Sequence, residues 1–162
     1  MDMVAARAAA GKATIYRRWS SKEALILDAV ALMKSKQVDL EHLPDTGTLR
    51  GDLLGLFKPE SVEAAERKLK VMTGLISMLS AHHGLAEEVN DVIVEPWAAA
   101  HRILIQRALN RGEIAESTDV ETAAQLIPSL VAYRALIQRK PFEKEFLVSL
   151  IDGVLLPALR RG

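Results

Sequence analysis

VAARAAAGKATIYRRWSSKEAL, residues Val4–Leu25, is the stretch on which the fold turns. Its alanine-rich beginning reads as the end of a short helix over Met1–Ala10, because alanine is the best helix former. Gly11 offers a turn, and Lys12–Trp19 forms a second short helical segment. Ser20 and Glu23 then match an S-x-x-E capping box, in which two side chains satisfy backbone amides reciprocally at a helix start. A third helix is therefore expected from about residue 21 to residue 35. Leu25, Ala29, Leu32 and Met33 recur at helical spacing on its inner side, leaving Lys22, Asp28 and Lys36 for solvent.

Outward from this unit, QVDLEHLPDTG at residues 37–47 contains Pro44 and Gly47 without helical periodicity, which marks a connection. Thr48–Phe57 reads as a short amphipathic helix weakened by Gly51 and Gly55 and stopped before Pro59. Glu60–Ser80 carries Val62, Ala65, Leu69, Met72, Ile76 and Leu79 on one face, and His82, His83 and Gly84 end it. Leu85–Arg111 repeats Val89, Ile93, Trp97, Ala100, Leu104 and Ala108 at helical spacing; Pro96 is expected to kink it and Gly112 to stop it. Thr118 and Glu121 repeat the capping-box pattern ahead of a helix to about Arg139, and a last helix spans roughly Phe142–Arg160. No alternation long enough for a sheet occurs, so the expected class is all-α.

Composition agrees. Of the residues, 49% are hydrophobic, mostly Ala, Leu, Ile and Val, and only 4% are aromatic, a mixture that favours helix over sheet. The absence of cysteine excludes disulfides, thiolate metal sites and a cysteine nucleophile, and fits a reducing cytosol. No signal peptide or uninterrupted apolar span is present, so a cytoplasmic location without a membrane partner is expected. The net charge of zero hides an asymmetry: residues 1–36 carry seven basic and three acidic side chains, and the rest of the chain is correspondingly acidic. A basic head on an acidic body suits a protein that presents one end to a polyanion.

Val4–Leu25 closely resembles the helix-turn-helix of the TetR family of transcriptional regulators. The likeness rests on the alanine-rich first helix, a small-residue turn, the T-I-Y of Thr14–Tyr16, the aromatic Trp19, and S-K-E-A-L at Ser21–Leu25. Such a motif places the start of its second helix in the major groove. Lys12 and Arg17 are the candidate base readers, able to donate to guanine O6 and N7, with Ala13 small enough for close approach or a thymine methyl contact. By the resemblance, Thr14, Tyr16 and Lys22 grip the DNA backbone. Ile15 and Trp19 are assigned to the core of the head. Arg18 is either a phosphate contact or an exposed charge, and Arg7 is solvent-facing or a peripheral phosphate contact. The chain departs from the family where Ala9 stands at the turn position that usually holds glycine. The resemblance also implies a further helix ahead of Met1, so the helix-turn-helix is expected to be truncated.

The resemblance extends over LPDTGTLRGDLL (residues 43–54), RGEI (residues 111–114) and the closing helices, implying a helix-turn-helix region with connecting helix at 1–36, a connection at 37–47, and a ligand-binding and dimerisation domain at 48–162. Phe57, Met72, Ile76, Met78, Leu79, Trp97, His101 and Leu104 are candidate lining for a small hydrophobic effector, with plain core packing the alternative for each. Leu126, Leu130, Ile137, Phe146, Leu147, Leu150, Ile151 and Val154 make the last two helices apolar on more than one side. Packed against a two-fold copy they give a four-helix homodimer interface; the alternative is the core of a monomer. Adjacent His82 and His83 point apart on a helix and suit no shared metal. With no nucleophile motif, phosphate loop or metal spacing, neither catalytic residues nor a cofactor are expected. The expected function is a DNA-binding regulator, a repressor released by a small hydrophobic effector. A helical dimeric small-molecule-binding or interaction module without DNA binding is the second possibility.

Overall fold

Helix α1, Asp2–Arg7, leads through a tight turn into α2, Lys12–Arg18, and then α3, Lys22–Ser35. These belong to a computed structural model that describes residues 1–35, 38–59 and 90–160, together with positions 61, 63–64, 66–67, 70–71, 73–74 and 87. No strand occurs among the described residues. Residues 38–47 carry no helix; Asp39 caps a turn there, its carboxylate accepting from the Glu41 and His42 amides. The body follows as α4 (Leu49–Gly55), α5 (Glu95–Asn110), α6 (Val120–Leu136), α7 (Lys144–Leu150) and α8 (Leu156–Arg160).

Both capping boxes lie one residue from where the pattern puts them. The Ser21 hydroxyl, not that of Ser20, accepts the Ala24 amide at 3.1 Å. Likewise Asp119, not Thr118, accepts the Thr122 amide at 3.1 Å and the Thr122 hydroxyl at 2.6 Å. A carboxylate outranks a threonine hydroxyl as a cap and suits the partial positive charge of a helix start. Glu121 is thereby free to take both guanidinium arms of Arg102 at 2.6 Å, tying α6 to α5.

Two π-helical turns adjoin the body helices. One, Asn90–Val94, precedes α5; the other, Ile151–Leu155, joins α7 to α8. Each is followed two residues on by a proline, Pro96 and Pro157. Proline has no N–H to give the ladder, and widening one turn relieves the clash of its ring with the preceding carbonyl. The kink expected at Pro96 therefore takes the form of an upstream π turn. Helix α5 stops at Gly112 as expected, with φ +69° and the Schellman pair of bonds, Gly112 N–H to the Leu109 carbonyl and Glu113 N–H to the Ala108 carbonyl, both 3.0 Å.

The core lies among α4, α5, α6 and the α7–α8 segment, where Leu49, Leu53, Leu104, Ile105, Ile151 and Leu155 are fully enclosed. Each such side chain contributes about 1.5–3 kcal/mol by leaving water. Leu147, Leu150 and Ile151 belong to this core, which corrects their assignment to a dimer face: they are buried within the chain's own hydrophobic cluster. The face expected for α3 is also corrected. Leu27 and Val30 are its buried residues, whereas Ala29 and Leu32 are exposed, because α3 packs on the first π turn with the opposite side from the one its longest apolar row suggests. Side-chain placement of Met33 lies outside the described residues.

A polar cluster fixes the start of α4. Asp52 is fully buried on the same face as Leu49 and Leu53, and its carboxylate accepts from the Thr46 amide (2.6 Å), the Thr46 hydroxyl (2.8 Å) and Arg111 (3.3 Å). Arg111 also pairs with Glu113 at 3.0 Å, and both Glu113 oxygens accept the Leu49 amide at 2.9 and 2.8 Å. A Cβ on Gly51 would overlap the Thr46 hydroxyl, so glycine there is a close-approach residue and not merely a weak point in the helix.

Candidate nucleic-acid interface

The head is built around few side chains. Ala5 on α1, Ile15 on α2, and Leu27 and Val30 on α3 are its buried residues. Ile15 is the single buried residue of α2, so this seven-residue helix holds its place through one side chain and shows the rest of its surface to solvent. Helix α2 opens on Gly11, whose extended backbone (φ −65°, ψ 143°) turns the chain sharply out of the preceding loop. The loop itself is a Schellman motif: the Ala9 amide donates to the Ala6 carbonyl at 3.3 Å and the Ala10 amide to the Ala5 carbonyl at 3.0 Å. Ala9 takes the left-handed position of that motif at φ +49°, where its Cβ crowds the backbone and glycine would not.

All six expected DNA contacts, Lys12, Ala13, Thr14, Tyr16, Arg17 and Lys22, are exposed. Five sit on α2 and Lys22 is the first residue of α3, one position after its Ser21 cap. Tyr16 is 51% exposed, unusual for so large a ring unless a partner covers it. Arg17 and Lys22 make no ion pair among the described residues. Lys12 does: its ammonium meets the Asp2 carboxylate of α1 at 2.7 Å. The shared hydrogen bond, then the opposite charges, hold Asp2 below and Lys12 above their ordinary values. Both groups stand in solvent, where salt screens such a pair.

Ile15 is in the core as expected, while Trp19 is half-buried and serves as a strut. Its indole N–H donates to Asp28 of α3 at 3.0 Å, and the Arg18 guanidinium lies 4.8 Å above its ring. This stacking, with Asp28 4.0 Å from Arg18, gives that arginine an intramolecular seat. The sequence pattern missed Asp2 and Asp28 as partners of the reading helix; their signal was an acidic side chain within a basic head.

Four of the eight effector candidates fall on described residues, and these lie on or beside α4 and α5. Leu104 has no exposed surface and packs in the core cluster, the plain-packing alternative for that residue. Phe57 packs on Phe142 with ring centroids 5.7 Å apart, and Phe142 on Phe146 at 6.2 Å, all three against the core cluster. Trp97 is half-buried and His101 is 5% exposed, one turn apart near the start of α5. Met72, Ile76, Met78 and Leu79 lie outside the described residues, as do His82 and His83. His101 Nδ1 is 2.6 Å from the Trp97 carbonyl oxygen, which only accepts, so Nδ1 carries the proton. Burial holds the imidazole below its ordinary pKa and hence neutral, outweighing the carbonyl bond. Its Nε2 then presents a lone pair.

Of the remaining interface candidates, Leu126 (37%), Ile137 (66%) and Val154 (54%) are exposed, and Leu130 and Phe146 are half-buried. Tyr133, overlooked in the sequence, is 51% exposed and completes a row at 126, 130, 133 and 137. The spacing of four, three and four residues is that of a helix-pairing seam. No helix among the described residues is long and apolar enough to cross a membrane.

Comparison with known proteins covers both parts. Residues 1–29 match the family described as bacterial regulatory proteins, tetR family, and residues 43–154 match the tetracyclin repressor-like C-terminal domain. The uncharacterized HTH-type transcriptional regulator Rv1556 of Mycobacterium tuberculosis is 33% identical over 162 residues, all of this chain and 78% of that protein. The DNA-binding transcriptional repressor TetR of Mycobacteroides abscessus is 30% identical over 162 residues, all of this chain and 84% of that protein. The crystal structure of the TetR family transcription regulator SCO0332 superposes with a TM-score of 0.68 at 25% identity, covering 95% of this chain and 84% of that one. An exposed reading helix on a small head, a helical body, and relatives matched along the full length lead to one conclusion: the chain belongs to the TetR family of helix-turn-helix transcriptional regulators.

Proposed function

We propose that the chain is a repressor of transcription that acts as a homodimer in the cytoplasm and leaves its DNA operator when a small apolar effector binds the body. The observation that carries this reading is the open face of α2, where Lys12, Ala13, Thr14, Tyr16 and Arg17 share an uncovered helix with Lys22 beside it. Lys12, Ala13 and Arg17 meet base edges; Thr14, Tyr16 and Lys22 meet phosphates and fix the register. The row Leu126, Leu130, Tyr133 and Ile137, with Val154 on the neighbouring segment, supplies apolar surface for a two-fold partner. Two heads on one dimer then enter successive major grooves. Helix α3 packs on the first π turn of the body, a direct path by which effector occupancy changes head spacing.

Selection of genomic fragments by the purified chain at low salt is the test. A palindromic site with half-sites about one helical turn apart, bound by a dimer, is the expected product. Normal dimer mass with no fragment retained would favour a helical ligand-binding module without DNA function.

A further inference from the structure

We infer that His101 reads the effector, accepting a hydrogen bond at Nε2 from a hydroxyl on an otherwise apolar ligand. The inference rests on the effector-responsive reading above and deepens it. His101 is 5% exposed, and its Nδ1–H is spent on the Trp97 carbonyl at 2.6 Å, which locks the tautomer and leaves Nε2 as a bare acceptor. No donor meets Nε2 among the described residues. On its own face of α5 the neighbours three and four residues away are apolar: Ala98, Leu104 and Ile105 are buried, and Trp97 stands half-buried one turn earlier. A lone acceptor in apolar surroundings is the composition of a small-molecule site, in which a few polar atoms orient a mainly hydrophobic ligand. The Trp97 carbonyl also accepts the helical amide of residue 101, so it is not left unpaired where an apolar side chain replaces the imidazole. A neutral acceptor selects against carboxylates and other anions, which would face the lone pair with negative charge. A ligand hydroxyl meets the unmatched Nε2, whereas a methyl in its place leaves it unmatched.

Phenol and toluene, equal in shape and differing in that one group, are the probes. With histidine labelled by nitrogen-15, the Nε2 resonance of the intact chain should lie in the unprotonated range near neutral pH and shift on adding phenol but not toluene. Phenol should bind about tenfold more tightly than toluene, as one added hydrogen bond allows. In His101→Leu the preference should fall to within about twofold, whereas His101→Gln, which keeps an acceptor, should retain part of it. Equal affinities, binding of neither probe, an Nε2 that carries the proton, or a preference that survives in His101→Leu would each overturn the inference. Operator binding by the same preparation is measured separately. A chain that binds DNA but does not discriminate the probes loses only this inference, and a chain that discriminates them without binding DNA loses the repressor reading instead.

Discussion

Replacing Ala9 by glycine should stabilise the head. Ala9 holds φ +49° in the Schellman turn between α1 and α2, and a left-handed residue with a Cβ costs roughly 1–2 kcal/mol. Glycine removes that cost but loses more freedom on folding, which takes back about 0.5–1 kcal/mol. The Ala9 side chain is exposed, so no packing is lost. The expected net gain is about 0.5–1 kcal/mol. Gly112 makes the converse control: it occupies the same position of the same motif at φ +69°, and nothing crowds a Cβ there, so Gly112→Ala isolates backbone strain. That change should destabilise by a similar amount. Urea unfolding followed by Trp19 fluorescence, in a Trp97→Phe background, reports the head through the indole that bridges α2 and α3. An unchanged or lower midpoint for Ala9→Gly, with Gly112→Ala clearly destabilising, would refute the assignment of strain to Ala9.

The same geometry makes other changes informative. Lys22→Ala should weaken operator binding across sequences and lower the slope of affinity against salt by about one, while Arg17→Ala should alter base preference in a selection assay. Asp52→Ala should cost about 3 kcal/mol in urea unfolding, since Arg111 and the Thr46 amide lose a buried carboxylate. Ile137→Glu should shift the chain from dimer to monomer in sedimentation, because the residue is 66% exposed within the apolar row of α6. Stability should also fall as pH drops below about 6.5, where the unfolded chain takes up a proton that buried His101 resists. The slope from this group is at most about 1.4 kcal/mol per pH unit, and His101→Leu should remove it.

The reading head was legible because its chemistry is local: turn residues, a cap and a run of basic side chains all act within a few positions. Where the pattern failed, competition between equivalent neighbours decided the outcome. Ser20 and Ser21 are the same residue type, so residue type alone does not say which hydroxyl caps α3. Thr118 and Asp119 differ in charge, and the charged group caps. Leu147, Leu150 and Ile151 could not be told from Val154 by hydropathy, since a helix apolar on two sides does not state which side its own chain covers. Asp52 carried a readable signal, an acid in register with Leu49 and Leu53. Its partners Thr46 and Arg111 are joined only by the fold.

The two π turns bear on chain length. A π turn closes its hydrogen bonds across one residue more than an α turn, so Asn90–Val94 and Ile151–Leu155 each hold one residue more than an α turn would. Removing one residue from either turn would return the ring of Pro96 or Pro157 to the carbonyl that the wider turn clears. At Asn90–Val94 that shortening falls where α3 rests on the body. The seat of the head is thus a place where chain length and a proline's position are tied together.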